Sequence, residues 1–449
     1  MSVNSLHPEI TTERIAEWRL LRDAMAGESA IKKRGEVYLP KPSGFKSQPD
    51  DGEAAYEAYR KRADFPEILA PSIAAMVGIV HAKETQIEMP EAMAWLWEDA
   101  DGHGLSLEAF HRRITRNLLW LGRYGVLADA PRDGGEPFLV GFAAEAVINW
   151  DIDFFVLDES DFERTGFTWD FVNHYRVLRL DNGFYVQEIY KEGAQTDASE
   201  ALEPTTRGGR RLERVPFQIG NARDLKSDIE TPPLIGVANA ARAIYQLSAD
   251  YRHQLFMSGQ ETLVALNGDP PEYVGAGVVH AMSGGDGGFP PDLKYVSPTC
   301  AGIKEHREAM REHREAAVMA GARMFETNRS QESGEARRLR FASETANLMS
   351  VALTSAGLLE RSLRDIAMMI GANESEVVVN PPADLLDTTM NPTEAQALMA
   401  IWQSGGISYQ TFYENLQRGG IASPERDHEA EDQLIDGQTF RDNQGVTAL

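Results

Sequence analysis

Residues 303–316 read Ile303-Lys304-Glu305-His306-Arg307-Glu308-Ala309-Met310-Arg311-Glu312-His313-Arg314-Glu315-Ala316, and the pentapeptide Glu-His-Arg-Glu-Ala occurs twice in them at an offset of seven. In a helix an offset of seven returns to nearly the same face, so both copies belong to one charge-laced surface. Lys304 and Glu308 stand at helical contact spacing, as do Glu308 and Arg311. A metal ion shared by His306 and His313 fails on reach, because two helical turns separate them by ~10 Å and bonds to such an ion are about 2 Å long. Two readings remain: a solvated helix, and a helix that packs beside copies of itself through alternating charges.

The same helical pattern runs to about Phe325 and has a counterpart upstream. Thr231, Pro232 and Pro233 announce a helix whose apolar positions Leu234, Val237, Ala241, Ile244, Tyr251 and Leu255 recur three, four or seven apart. Between the two helices the chain changes character. Glu261 to Leu266 is strand-like and is followed by the turn Asn267-Gly268-Asp269-Pro270. A glycine cluster, Gly284-Gly285-Asp286-Gly287-Gly288, precedes a second strand-like piece, Leu293 to Val296. A small β-rich insert is therefore held between two helices of roughly 24 residues, each ~36 Å long. A polar break over 327–335 follows, then the longest helical pattern, Ala336 to Ile370, with Gly371 in position to cap it.

Further out, Ile15, Trp18, Leu21 and Ala24 share one helical stripe, and 36–52 is a loop rich in Pro and Gly. Ala54 to Trp120 is helical in pattern and is interrupted by the turn Asp99-Ala100-Asp101-Gly102-His103-Gly104. Ser106 is placed to cap the helix carrying Phe110, Ile114, Leu118 and Leu121. Strand signals follow at 125–129, 138–142, 146–150, 175–180, 184–190 and 215–219, with Asp181-Asn182-Gly183 marking a hairpin. Residues 192–210 are polar and read as a solvent loop. The C-terminal 75 or so residues carry three short helices, started at Asn391-Pro392, Ser408 and Ser423-Pro424 and stopped at Gly405-Gly406 and Gly419-Gly420. The fold class expected is α+β, mainly helical.

Composition narrows the function. The 449 residues carry 44 Lys plus Arg against 69 Asp plus Glu, a formal charge of −25, which argues against a protein that clamps nucleic-acid phosphates. At 42% hydrophobic the chain has material for buried cores and is not wholly disordered. Its one cysteine, Cys300, excludes internal disulfides and multi-cysteine metal sites. The N-terminal residues are too polar for a secretory signal, and the longest apolar stretch, Ile68 to Ala82, is too short to span a bilayer, so a soluble, cytoplasmic protein without membrane contact is expected.

The chemical motifs are mostly negative. Asp99 to Gly104 resembles a calcium loop, but its twelfth position is Phe110 where a bidentate Glu is needed, so a helix-to-helix turn is the better reading. The glycines at 284–288 lack the Lys-Ser/Thr of a phosphate loop. No nucleophile elbow, paired-histidine zinc motif or dinucleotide fingerprint occurs, and no catalytic residues, metal site or cofactor are expected.

The order of segments resembles that of the portal proteins of tailed bacteriophages, over about residues 50–435. Local sequence adds to the likeness: Tyr56 to Phe65, Asp99 to Leu105, Leu121 to Asp129, Val147-Ile148-Asn149-Trp150, Val215-Pro216-Phe217 and Ser343-Glu344-Thr345-Ala346. The resemblance implies an N-terminal arm and wing over 1–230, a stem helix over 231–259, a clip over 260–302 and a returning stem helix over 303–326. A tunnel loop over 327–335, a wing spine helix over 336–371, and a crown with C-terminal tail over 372–449 complete it.

It also implies a ring, usually of twelve subunits, at one capsid vertex, through which double-stranded DNA is packaged and ejected. Its partners would be the major capsid protein, the terminase large subunit and a head-completion or adaptor protein. It would reside in the virion, and in the host cytoplasm during assembly. ATP hydrolysis would belong to the terminase, in line with the missing phosphate loop. By the same resemblance Glu305, Arg307, Glu308, Arg311, Glu312 and Arg314 divide between the channel and the inter-subunit face. Asn328, Arg329, Ser330, Gln331, Glu332 and Ser333 form the tunnel loop, and Glu272, Tyr273, Phe289 and Asp292 are clip contacts for the terminase. An acidic wall would touch DNA weakly and keep it centred. Two other readings stay open: another phage head or scaffold protein, and a cytoplasmic hydrolase with an acidic cleft.

Overall fold

Thr11 caps the first helix, α1 (Thr12–Ala26), by accepting a hydrogen bond from the Arg14 amide at 3.3 Å. Trp18, Leu21 and Ala24 on the expected stripe are buried and Ile15 is half-buried. α2 (Glu28–Lys33) and three short 3-10 turns lead to α3 (Glu53–Arg62) and α4 (Leu69–Val80), then a short strand, β1 (Gln86–Glu88), and α5 (Leu107–Leu121). Ser106 caps α5 as expected, and Phe110, Ile114, Leu118 and Leu121 are all buried. The computed structural model describes residues 3–131, 134–191, 201–259, 261–274, 290–296, 302–319, 334–382, 385, 392–418, 420–423 and 426–434.

α5 ends at Gly122, whose φ of +78° is the left-handed conformation that L side chains resist. A Cβ here would lie 3.0 Å from the Cα of Pro232, so the glycine also lets the start of the later stem helix close against α5. The strands follow: β2 (Arg123–Asp129), β3 (Phe138–Ala143), β4 (Val147–Trp150), β5 (Phe154–Asp158), β6 (Asp161–Thr165), β7 (Thr168–Val172), β8 (His174–Asp181), β9 (Phe184–Lys191) and β10 (Phe217–Asn221). They form an antiparallel sheet in the order β10-β2-β3, a second in the order β4-β5-β8-β9, and a separate β6-β7 hairpin. In the first sheet Phe217 lies across Gly125, where a Cβ would meet its ring at 2.4 Å. The Asp181-Asn182-Gly183 turn has φ values of +51° and +83° at its last two residues, the geometry that joins β8 to β9 tightly.

Beyond β10 come α6 (Ile235–Ser258), β11 (Thr262–Leu266), β12 (Asp292–Val296), α7 (Ile303–Met319), α8 (Gly334–Ile370) and β13 (Val378–Asn380). α8 buries Leu358, Leu359, Leu363, Ile366 and Ala367 against α5 and the β10-β2-β3 sheet. It ends as expected at Gly371 (φ +76°), with the Ala372 amide donating to Ala367 O at 2.8 Å and the Gly371 amide to Met368 O at 3.2 Å. β13 then pairs antiparallel with β1, Gln86 opposite Asn380, tying the exit of α8 to the N-terminal helices.

The chain divides into two compact units, Met1–Pro381 and Pro382–Leu449, so the boundary falls after β13 and ten residues beyond Gly371. The second unit holds α9 (Pro392–Gln403) and α10 (Tyr409–Arg418), joined through Gly405 (φ +76°) and stapled by the stacked rings of Trp402 and Phe412, 4.8 Å apart. Ser408 caps α10, as expected. The last helix spans 428–434 and is capped by Asp427, whose Oδ1 accepts from the Ala430 amide at 2.7 Å, four residues later than the Ser423 start read from sequence. The architecture is mixed α+β with helix predominating.

Candidate functional site: the two-helix stem and its hairpin tip

α6 leaves the body of the first unit firmly held. Leu234, Val237, Ala241 and Ile244 are buried, and Tyr245 packs edge-on to Phe65. Further along, Gln246 donates to Tyr38 O at 2.7 Å, Tyr59 donates to Asp250 Oδ1 at 2.6 Å, and Arg252 pairs with Asp64. Phe45, Tyr59 and His253 meet edge-to-face in a three-ring cluster. Burial there, with Arg62 beside it, holds the His253 imidazole below its ordinary range, so it serves as an uncharged ring. The apolar stripe read from sequence then emerges into solvent: Tyr251 is half-buried and Leu255 is exposed, together with Phe256 and Met257.

α7 returns along α6. The duplicated pentapeptide resolves into a seam and a rim. Ile303, His306, Met310, His313 and Ala317, spaced 3-4-3-4, are half-buried or buried, whereas Glu305, Arg307, Glu308, Arg311, Glu312 and Arg314 are all exposed. This is the spacing of a coiled-coil seam, and it turns the two histidines inward and the charges outward. His306 meets Gln254 of α6 with 3.1 Å between their Nε2 atoms. On the rim Arg311 bonds Glu308 one turn back and lies 3.8 Å from Glu315. The outward charges form mixed-sign rows, free to meet a neighbouring surface.

β11 and β12 pair antiparallel with each other, Thr262 opposite Val296 and Leu266 opposite Asp292, and form a two-stranded sheet whose outer edges are unpaired among the described residues. Around this tip Leu266, Tyr273, Val274, Tyr295 and Val296 are exposed, next in sequence to the exposed end of α6. Glu272 and Tyr273 lie in the segment after β11 and Asp292 opens β12, all exposed. Phe289 lies outside the described residues, as do Asn328, Arg329, Ser330, Gln331, Glu332 and Ser333.

Elsewhere polar groups of the candidate turn and of two cavities are already engaged. Asp101 Oδ1 accepts from the amides of His103 and Leu105, and Asp99 Oδ1 from that of Gly104, so both carboxylates brace their own turn. A cavity of about 690 Å³ between the two sheets and the end of α8 contains Arg176, which is bonded to Asp129 at 2.5 Å and to Glu159 at 3.0 Å. Between α4, α5 and α8, His81 bonds Thr115 at 2.9 Å and His111 bonds Ser355 at 3.2 Å. Burial draws His81 down to about 4 and His111 to about 3, so both are neutral near pH 7. Among the described residues no three His, Cys, Asp or Glu side chains converge as a metal site, and no helix is long and apolar enough to cross a membrane.

Sequence reading missed the inward role of His306 and His313, although the 3-4-3-4 spacing of Ile303, His306, Met310, His313 and Ala317 was there to find.

Comparison with known proteins adds little beyond this geometry. A family profile described as "Domain of unknown function (DUF4055)" matches residues 233–369, from just before α6 almost to the end of α8. No curated protein matches. Among solved structures the chain is similar to one described as "Neck of native GTA particle computed with C12 symmetry", at 15% identity over 78% of this chain and 89% of that one, with a TM-score of 0.38. It is similar also to "Neck of empty GTA particle computed with C6 symmetry", at 14% identity over 80% of this chain and 90% of that one, with a TM-score of 0.38. At that degree of superposition neither likeness carries an argument, and the stem itself is the basis for a function.

Proposed function

We propose that the chain is a subunit of a phage-type portal: a homo-oligomeric ring at a capsid vertex that conducts double-stranded DNA without catalysing a reaction. One observation carries this reading. A helical pair, anchored in the body at one end, projects a β-hairpin at the other and leaves Leu255, Phe256, Met257, Leu266, Tyr295 and Val296 exposed there. A monomer in water would not keep such a cluster at the end of a projecting helical pair; neighbours in a ring would cover it. Open strand edges beside it suit pairing or covering by the next subunit. The mixed-charge rim of α7 suits side-by-side packing, and the net charge of −25 suits a channel that lets DNA slide.

In this reading Glu305, Arg307, Glu308, Arg311, Glu312 and Arg314 divide between the channel wall and the contact with the next stem. The hairpin with Glu272, Tyr273 and Asp292 meets the terminase and later the head-completion protein, while the wing meets the major capsid protein. A count of twelve subunits rests on the sequence resemblance. The test is the mass of the purified protein by analytical ultracentrifugation. A species of about a dozen 49.7 kDa chains supports the reading, and a monomer at all concentrations overturns it.

A further inference from the structure

The β6-β7 hairpin leaves the β4-β5-β8-β9 sheet between β5 and β8 and, among the described residues, pairs only with itself. Its register sets Phe162 opposite Phe171 and Arg164 opposite Trp169, so these four side chains share one face of the ribbon. Asp161, Glu163 and Asp170 belong to the other face. Phe162 and Phe171 touch edge-to-face at 5.4 Å, yet both are 58% exposed, Trp169 is 62% exposed, and Phe167 at the turn is fully exposed. Every residue of both strands except Val172 is exposed.

A two-stranded ribbon standing alone is marginal in water, and this one spends its large aromatic residues on a face that none of the described residues covers. Taking about 150–250 Å² for each aromatic side chain, four at this exposure present roughly 500 Å². That is at the upper end of the patches a monomer leaves open and a large part of one side of a standard protein interface.

We infer that this hairpin is an arm that seats on a second copy of this chain, with Phe167 entering the cavity beside Trp97. That cavity, of about 500 Å³, lies between the end of α4, β1 and the start of α5. It is walled by Ile87, Thr85 and the 44%-exposed Trp97, and it has room for an aromatic ring. Lys83, Glu84 and Glu108 line it; Glu108 is paired with Arg112 at 2.5 Å, and the exposed Glu84 is placed to receive Arg164, the only basic side chain on either strand of the arm. The arm and the cavity are different surfaces of the same subunit, so the contact is heterologous and passes from each copy to the next, which is how rings are built. A copy is favoured over a lipid surface because the other face of the ribbon carries three carboxylates, which an anionic bilayer would repel.

This inference rests on the ring reading and refines it. The test compares Phe167→Ala with Trp169→Ala, in one chain, against wild type by native mass spectrometry over a dilution series. Circular dichroism melts serve as the check that the exposed substitutions leave the fold intact. In parallel, Phe167→Cys is combined with Thr85→Cys in a Cys300→Ser background and oxidised. The expected results are a rise of at least tenfold in the concentration needed for rings to persist, and a ladder of covalent oligomers from the double-cysteine chain that neither single-cysteine chain gives. Rings that persist as in wild type, or assembled rings that yield no ladder, overturn the arm contact while leaving the ring reading standing. Failure of wild type to form rings overturns the ring reading first, and this contact with it.

Discussion

Gln254, in the last turns of the outgoing stem helix, and His306, in the first turn of the returning one, face each other with 3.1 Å between their Nε2 atoms. The contact fixes the register of α7 on α6. His306 and His313 lie on the seam between the helices, and the arginines and glutamates that flank them lie outside it.

Replacing these seam histidines with leucine adds apolar burial where a coiled coil favours it. His313→Leu is expected to raise the unfolding free energy by about 1 kcal/mol in urea titration. A matched Arg314→Leu on the rim is expected to change it by less than about 0.5 kcal/mol. Equal effects at the two positions would contradict the seam.

The outward charges carry a different expectation. Arg307→Glu combined with Arg311→Glu leaves the α6–α7 seam untouched but turns two basic rim positions acidic. Folding of the single chain is expected to stay as in wild type, while ring formation, read by native mass spectrometry, falls. Undiminished ring formation would remove these residues from the inter-subunit face.

Gly122 joins α5 to β2 with φ +78°, beneath the Cα of Pro232. Gly122→Ala therefore meets both a disfavoured backbone conformation, costing about 1–2 kcal/mol, and a close approach to the base of the stem. Thermal melting is expected to shift down by several degrees, and a neutral result would mean that the chain relaxes at this corner.

Acid should loosen α8. His81 and His111 have folded-state values of about 4 and about 3, below the 6.5 of the unfolded chain. The unfolded state therefore binds protons first as pH falls. The stability associated with the neutral rings is complete above pH 6.5 and is lost progressively from there down to the folded-state values. For the buried His111 the limiting slope is about 1.4 kcal/mol per pH unit. Stability measured between pH 7 and pH 4.5 should fall in wild type and fall less steeply in His111→Gln. Parallel curves would show that other groups govern the acid limb.

Much of the fold was legible in the sequence because its signals are local. Ser106, Gly371, Asp181-Asn182-Gly183 and Ser408 each fix a helix end or a turn through their own backbone chemistry, and the long helices follow from three- and four-residue spacing. What escaped reading is non-local or unpatterned. β1 and β13 are three residues each, separated by almost the whole first unit, and only their pairing defines them. Residues 154–172 hold three strands, but the exposed β6 and β7 lack the burial that makes alternation readable, and Asp427 displaced a stronger-looking Ser-Pro start. At the candidate site the duplicated Glu-His-Arg-Glu-Ala announced itself, yet which of its faces met α6 depended on the partner helix. Its charged positions proved to be the exposed ones, and its histidines the half-buried seam.

In the proposed ring the α6–α7 stem and its hairpin tip surround a channel. Negative-stain electron microscopy of the purified protein tests it most directly. Rings of about a dozen subunits with a stain-filled central hole are expected; isolated globular particles, or closed oligomers without a hole, would rule the channel out.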